Sequence, residues 1–249
     1  MRNNEQRRCH NIEKALSSTV LNLIFPRRCP VCDDIVPMGE GKICNECKKQ
    51  IKYIKEPRCR VCGKQLYDEA QVFCLDCKNK KHLFDYGYAL YDYGSMRKSI
   101  FRFKYKNRCE YAQFYAEDIY KHLKKEIDAM EADSIIPIPI HISKQRHRGY
   151  NQAQLIADEL SKYTNIPVYT NIVKRVRKTV PQKELDTRAR QNNLKRAFNI
   201  TSDVVKLNKT ILIDDIYTTG STIDAVASLL KQHGVKTVNF ITLSVGEGV

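Results

Sequence analysis

The chain has 249 residues, 42% hydrophobic and 29% charged, a composition suited to one or two globular domains with a real apolar core. No run approaches the roughly 18 uncharged apolar residues of a spanning helix, and 10 Gly with 8 Pro exclude collagen-like and low-complexity chains. With 43 basic against 28 acidic side chains, formally +15, the chain suits polyanionic partners: phosphates, nucleotides or nucleic acid.

At the N-terminus, Arg2, Arg7 and Arg8 precede an apolar run from Ala15 to Phe25. Ser17, Ser18, Thr19 and Asn22 break that run and no small-residue cleavage site follows, so it does not read as an export signal. Leu16, Val20, Leu23 and Ile24 recur at helical spacing and predict a short amphipathic helix, an extension over residues 1–26. The expected compartment is the reducing cytoplasm, where paired cysteines indicate metal before disulfide.

Eight of the ten cysteines form four Cys-x-x-Cys pairs, Cys29/Cys32, Cys44/Cys47, Cys59/Cys62 and Cys74/Cys77, each starting 15 residues after the last. Such a turn offers two thiolates on one face of a tight loop, and two turns complete a tetrahedral Zn2+ site. Eight ligands make two closed structural sites, a double zinc ribbon over residues 27–84. The 11-residue spacers favour pairing the first turn with the second and the third with the fourth, the alternative being a cross-braced arrangement. Pro30 stiffens the first turn, and Gly63 permits a positive φ in the second ribbon. Cys9 and Cys109 read as ordinary free thiols. Residues 1–84 carry 17 basic and 10 acidic side chains, so eight thiolates and two Zn2+ lower their formal +7 to about +3. The positive field therefore belongs mainly to residues 85–249.

In that second domain strand-like and helix-like patterns alternate. Strands are predicted at 88–93, 134–139, 210–213 and 235–243. Helices are predicted at 111–125, after Asn151 (apolar face Ala153, Ile156, Ala157, Leu160) and around Ile223, Val226, Ala227 and Leu230 with Gly234 as stop. The segment 140–150 reads as a loop. This alternation implies a parallel α/β sheet flanked by helices, whose ligand lies at the carboxyl ends of the strands. There the chain reads Ile211-Leu-Ile-Asp-Asp-Ile-Tyr-Thr-Thr-Gly-Ser-Thr222. Thr218, Thr219, Gly220, Ser221 and Thr222 supply hydroxyls and backbone N–H groups at a helix start, a phosphate cradle, with Gly220 permitting close backbone approach. Asp214 and Asp215 suit a vicinal diol or a divalent cation. Diol and phosphate together describe a ribose 5-phosphate.

Two further basic stretches stand out. Residues 174–196 carry nine cations against Glu184 and Asp186, and residues 97–108 carry six with no acid, interleaved with Phe101, Phe103 and Tyr105. The second reads either as a helix or strand whose aromatics face the core or as a surface that stacks single-stranded DNA bases.

Three apolar residues, two acids and Thr-Thr-Gly-Ser-Thr resemble the signature of type I phosphoribosyltransferases, which bind phosphoribosyl pyrophosphate (PRPP) with Mg2+. The order of four Cys-x-x-Cys pairs, Pro137-Ile-Pro139, Arg148-Gly-Tyr-Asn-Gln152 and this loop resembles the ComF family, implicated in natural competence and DNA uptake, over residues 27–245. The resemblance implies that Asp214 and Asp215 hold the ribose hydroxyls at the catalytic centre and that residues 218–222 hold the 5-phosphate. It implies that Lys144, Arg146 and Arg148, with His147 beside them, meet the pyrophosphate, and that 174–196 forms a lid. It also implies partners among competence proteins such as the ComFA helicase. Several purine-using relatives carry an acid where this chain has Thr218, and threonine is no general base at neutral pH. Two readings stay open: a phosphoribosyl transfer enzyme with an unidentified acceptor, and a non-catalytic PRPP- or nucleotide-sensing adaptor or single-stranded DNA-binding module.

Overall fold

The computed structural model describes residues 26–37, 39–177, 197–201 and 207–246. The N-terminal amphipathic helix, Cys9 and residues 178–196 of the expected lid lie outside them.

The cysteines gather as two tetrads, Cys29/Cys32/Cys44/Cys47 and Cys59/Cys62/Cys74/Cys77, with all sulfurs of a tetrad within 4.8 Å of one another. The ribbons are therefore sequential and not cross-braced. In each, one cysteine pair closes a tight turn and the other opens a short helix, α1 (Asn45–Gln50) capped by Cys44 and α2 (Leu75–Asn79) capped by Cys74. The two turns share one hydrogen-bond pattern. Asp33 N–H donates to Cys29 O at 2.8 Å and Gly63 N–H to Cys59 O at 2.9 Å, with φ of 72° and 69°. A Cβ on Gly63 would sit 2.5 Å from Gly87 O, which accounts for glycine there. Asp33 adopts the same left-handed backbone, as Asp sometimes does, and its carboxylate accepts from Arg108 at 3.0 Å and from Tyr111.

Next come β1 (Gly87–Asp92), α3 (Tyr93–Tyr105), α4 (Tyr111–Met130), β2 (Ser134–Pro137), α5 (Ile142–Arg148) and α6 (Gln152–Thr164). They are followed by β3 (Val173–Arg175), β4 (Phe198–Ile200), β5 (Lys209–Tyr217), α7 (Ser221–Gln232) and β6 (Thr237–Val245). The main sheet is fully parallel in the order β1-β6-β5-β2, with β3 and β4 paired antiparallel outside it. Residues 51–55 run antiparallel along β1, Ile54 N–H donating to Leu90 O at 3.0 Å and Asp92 N–H to Lys52 O at 2.8 Å, so the inter-ribbon segment covers that edge.

Alternation along the strands builds two apolar layers. Ile211, Ile213, Ile241 and Leu243 pack with α3, α4 and α6, and the buried Cys29, Val36, Ile43 and Cys47 of the first ribbon join them. Leu212, Val238 and Phe240 pack with α7, β3 and β4, and Cys59, Cys62, Leu66 and Cys74 of the second ribbon join this layer. Each ribbon thus shares its core with one face of the sheet. The zinc module and the α/β part, separate in sequence at residue 84, are therefore not separately stabilised units.

Three sequence expectations shift. Residues 142–148 are helical, with His141 as N-cap and Gly149 (φ 81°) ending the helix, where a loop was expected. Strand β5 runs four residues past Ile213 because Asp214, Ile216 and Tyr217 keep their registers with Thr242, Ser244 and Val245 of β6. Cys109 is disulfide-bonded and not a free thiol.

Candidate functional site

The carboxyl ends of β5 and β2 and the N-terminus of α7 converge on one place. Because β5 continues through the acids, Asp214 and Asp215 stand within the strand, beside the start of the β2 loop, where Ile138 N–H donates to Ile213 O at 2.9 Å. Asp214 Oδ1 accepts from Asp215 N–H at 2.8 Å. Burial first, and then the like charge of Asp215, push the Asp214 pKa up to about 7, against the pull of Asp215 N–H, Lys104 and Arg175. Asp215 is held by Lys104 Nζ at 2.9 Å, both side chains being 16% exposed.

The chain supplies the matching cations from three separate segments. Lys144 and Arg148 lie four residues apart on α5 and so share a face. Desolvation, followed by the positive charges of Arg175, Arg148 and Lys104, lowers the Lys144 pKa, and Asp215 counteracts it. Three cations around one lysine make a local positive field that would favour a bound anion. Arg146 lies two residues from each of them and so falls on the other side of α5; Lys144 and Arg146 are both exposed, and of the three Lys144 interacts with Asp215.

The Arg148–Gln152 segment works residue by residue. Arg148 donates to Gln152 Oε1 at 2.9 Å and to Tyr105 Oη at 3.0 Å, with its guanidinium 4.8 Å from the Tyr105 ring centre. Gly149 makes the left-handed turn. Tyr150, buried, donates its hydroxyl to Phe103 O at 2.5 Å. Asn151 caps α6 through Ala153 N–H and donates to Ile138 O at 3.0 Å. These bonds fix the β2 loop relative to α3 and α6, and they hold Arg148 against the cleft.

After Tyr217, residues 218–222 turn into α7. Thr218 and Thr219 are exposed, Gly220 (φ 70°) is the N-cap with no side-chain cap bond, and Thr219 Oγ1 lies 2.9 Å from Ser221 Oγ. Free N–H groups at the start of a 12-residue helix make an anion site.

Two contributors escaped the sequence reading. Lys104 belongs to the 97–108 stretch. Phe103 faces the core as expected, whereas Phe101 and Tyr105 are exposed and pack together with ring centres 5.1 Å apart. Arg102 donates to Val31 O at 2.8 Å. Arg102 and Lys104, two of the six cations in this stretch, are thus engaged within the protein. Arg175, at the base of the expected lid, interacts with Asp214. Only the absence of acids between Arg97 and Arg108 signalled Lys104 in advance. Replacing Lys104 by Met should weaken binding of a phosphoribosyl pyrophosphate about tenfold, the loss of one charge-assisted contact; calorimetry on the variant would check it.

The tetrads fit zinc. Sulfurs lie 3.6 Å (Cys29–Cys44), 3.9 Å (Cys32–Cys44) and 3.7 Å (Cys62–Cys74) apart, against about 3.8 Å between corners of a tetrahedron with 2.3 Å Zn–S bonds.

A parallel sheet with paired acids at a strand end and a phosphate-cradling helix start defines a phosphoribosyltransferase-type domain, here joined to a double zinc ribbon. The sequence matches the Double zinc ribbon domain family over residues 20–78 and the Phosphoribosyl transferase domain family over residues 146–246. It is 33% identical over 220 residues to Competence protein F of Haemophilus influenzae, covering 86% of this chain and 95% of that one. It is 28% identical over 220 residues to DNA utilization protein YhgH of Shigella flexneri, 87% and 96% covered, and 28% identical over 208 residues to Competence protein ComFC of Bacillus subtilis, 78% and 80% covered. The chain belongs to the ComF family.

Proposed function

We propose that the protein binds PRPP with Mg2+ at the β5–α7 cleft and acts in DNA uptake and natural transformation in the cytoplasm, transferring the phosphoribosyl group to an acceptor. The convergence of Asp214, Asp215, the 218–222 loop and the cations Lys104, Lys144, Arg148 and Arg175 carries this reading. The acids suit the ribose hydroxyls, the α7 start the 5-phosphate, and the cations with Mg2+ the pyrophosphate. Transfer would break the C1–O bond of PRPP, leave its electron pair on the departing pyrophosphate and join C1 to the acceptor, which loses a proton. The cations would then meet charge that grows as the bond breaks. The names of the relatives, competence protein and DNA utilization protein, support the cellular role. No helix among the described residues is long and apolar enough to cross a membrane.

PRPP should bind only when Mg2+ is present, since the metal must share the pyrophosphate charge with the lysines and arginines. Calorimetry with and without Mg2+ tests this, and equal binding in both would discard the metal-dependent pose. Thr218 favours a second reading, because no acid stands where purine-using enzymes place one. On that reading PRPP or a nucleotide is only sensed, and the protein serves as an adaptor to single-stranded DNA or to a competence partner such as the ComFA helicase. Pyrophosphate release, measured with and without single-stranded DNA, separates the two: binding without turnover favours the sensor.

A further inference from the structure

We propose that the second zinc ribbon is a positioning element for the phosphate loop, acting through the strap Lys80–Leu83 that links it to the sheet. The proposal deepens the phosphoribosyl reading and rests on it for the identity of the ligand. Asp224, in the first turn of α7, is only 8% exposed. It does not cap its own helix. Both its oxygens accept from the strap instead: Oδ2 from Lys80 Nζ at 2.7 Å and His82 Nδ1 at 2.9 Å, and Oδ1 from Leu83 N–H at 2.8 Å. Lys80 Nζ also reaches Thr219 O, inside the loop, at 3.3 Å.

The path from metal to loop is short. Cys74 caps α2, Cys77 lies within it, and Lys80 ends it by donating its N–H to Asp76 O. Only two residues, Lys78 and Asn79, therefore separate a zinc ligand from a side chain that bonds the phosphate loop. His82 completes the contact. Its side chain is 1% exposed and its ring stacks on Phe84 with centres 4.6 Å apart. A Cβ at Gly220 would come within 2.9 Å of His82 Cε1 and 2.7 Å of Tyr217 Oη. Gly220 is required there for its left-handed backbone and for the approach of the strap, as well as for any approach of phosphate.

The loop has little else to hold it. The N-cap of α7 offers no side-chain bond, and Thr218 and Thr219 are exposed. Charge makes the same point. An unneutralised carboxylate one turn into α7 would repel an anion at the helix start, and Lys80 with His82 removes that repulsion while fixing the turn. The strap therefore sets both the shape and the field of the anion site.

Amide hydrogen exchange of the zinc-loaded, ligand-free protein tests this without assuming a ligand. Asp224→Asn and Lys80→Met should each speed exchange about tenfold at residues 224–227, whose N–H groups close the first turn of α7 from Asp224 N–H on Gly220 O onward, while β6 amides and the zinc content stay at wild-type values. Mg2+–PRPP affinity should fall by a similar factor in both variants. Unchanged exchange at these amides in both, or an equal rise across the whole sheet, overturns the proposal. Should Asp224→Asn fail to fold, Lys80→Met decides alone, since the Lys80 side chain is 30% exposed against 11% for Asp224. Should wild-type protein bind no PRPP, the ligand assignment falls, and exchange at these amides still decides the strap.

Discussion

Asp214→Asn combined with Asp215→Asn should weaken Mg2+–PRPP binding by at least about tenfold while both zinc sites stay filled. The substitutions keep side-chain size and remove two anionic acceptors. Charge-assisted hydrogen bonds contribute about 1.5–3 kcal/mol each, and 1.4 kcal/mol already corresponds to a factor of ten. The acids belong to β5, far along the chain from any cysteine, so elemental analysis should return the wild-type metal content. Equal affinity in wild type and variant would show that the ribose is held elsewhere.

The single change Asp214→Asn has a second consequence, because this carboxyl is partly buried beside another. Burial and Asp215 raise its folded pKa to about 7, above the unfolded value near 3.9. Its favourable contribution to folding is complete below pH 4 and is lost as pH rises through 7, by linkage. Ligand-free wild type should therefore lose stability across that window, by roughly a few kcal/mol. The asparagine variant, lacking the titration, should melt higher than wild type at pH 8, with the gap shrinking toward pH 5. Parallel melting curves at both pH values would contradict the buried-pair picture. An acid pair that weakens the free fold, at the site proposed for the ribose diol, would be a stability–function compromise of the kind expected at a ligand site.

The parts legible in the sequence are those with local causes. The 15-residue register of Cys-x-x-Cys turns specified two metal sites, because each ligand pair is a property of four consecutive residues. The apolar spacing of Ala153, Ile156, Ala157 and Leu160 and of Ile223, Val226, Ala227 and Leu230 marked the buried faces of α6 and α7, and all eight are buried. The turn from β5 into α7 was legible because a glycine among hydroxyl residues marks a left-handed helix start, and Gly220 is that N-cap. Pairings across long separations were not legible. Lys104 meets Asp215 across 111 residues and Lys80 meets Asp224 across 144, and neither lysine differs in sequence from a solvated one. Helix α5 was missed because its seven residues carry no apolar stripe, and only the cap pair His141 and Gly149 delimits it. The length of β5 was missed since two adjacent acids usually end a strand; here the ladder to β6 carries them. The sharing of each ribbon's core with one sheet face depends on which strand side each apolar residue presents, and that is settled only by the assembled topology.

That shared core makes the zinc prediction larger than a two-module chain would suggest. Purified protein should carry about two zinc ions per chain, and Cys59→Ser with Cys62→Ser should leave one. Both sulfurs are buried, Cys62 completely, in the layer that includes Phe84, Phe240 and Tyr217. Phe84 meets the Phe240 ring edge-on with centres 4.8 Å apart, and Tyr217 stacks on Phe240 at 5.0 Å. Structural zinc supplies about 10–16 kcal/mol of apparent folding energy in isolated fingers, so the second ribbon should not persist without its metal. Its collapse would uncover Phe84 and one side of Phe240, a loss comparable to truncating a buried aromatic, about 3–5 kcal/mol. At roughly 2–4 °C per kcal/mol for a chain of this size, the α/β transition should fall by about 6–20 °C. The first ribbon lies on the opposite face of the sheet and should keep its zinc. Melting followed by near-ultraviolet circular dichroism, alongside elemental analysis, reads both quantities. One zinc with an unmoved α/β transition would mean that the second ribbon is an appendage, and a loss of both zincs would mean that the two faces of the sheet unfold as one unit.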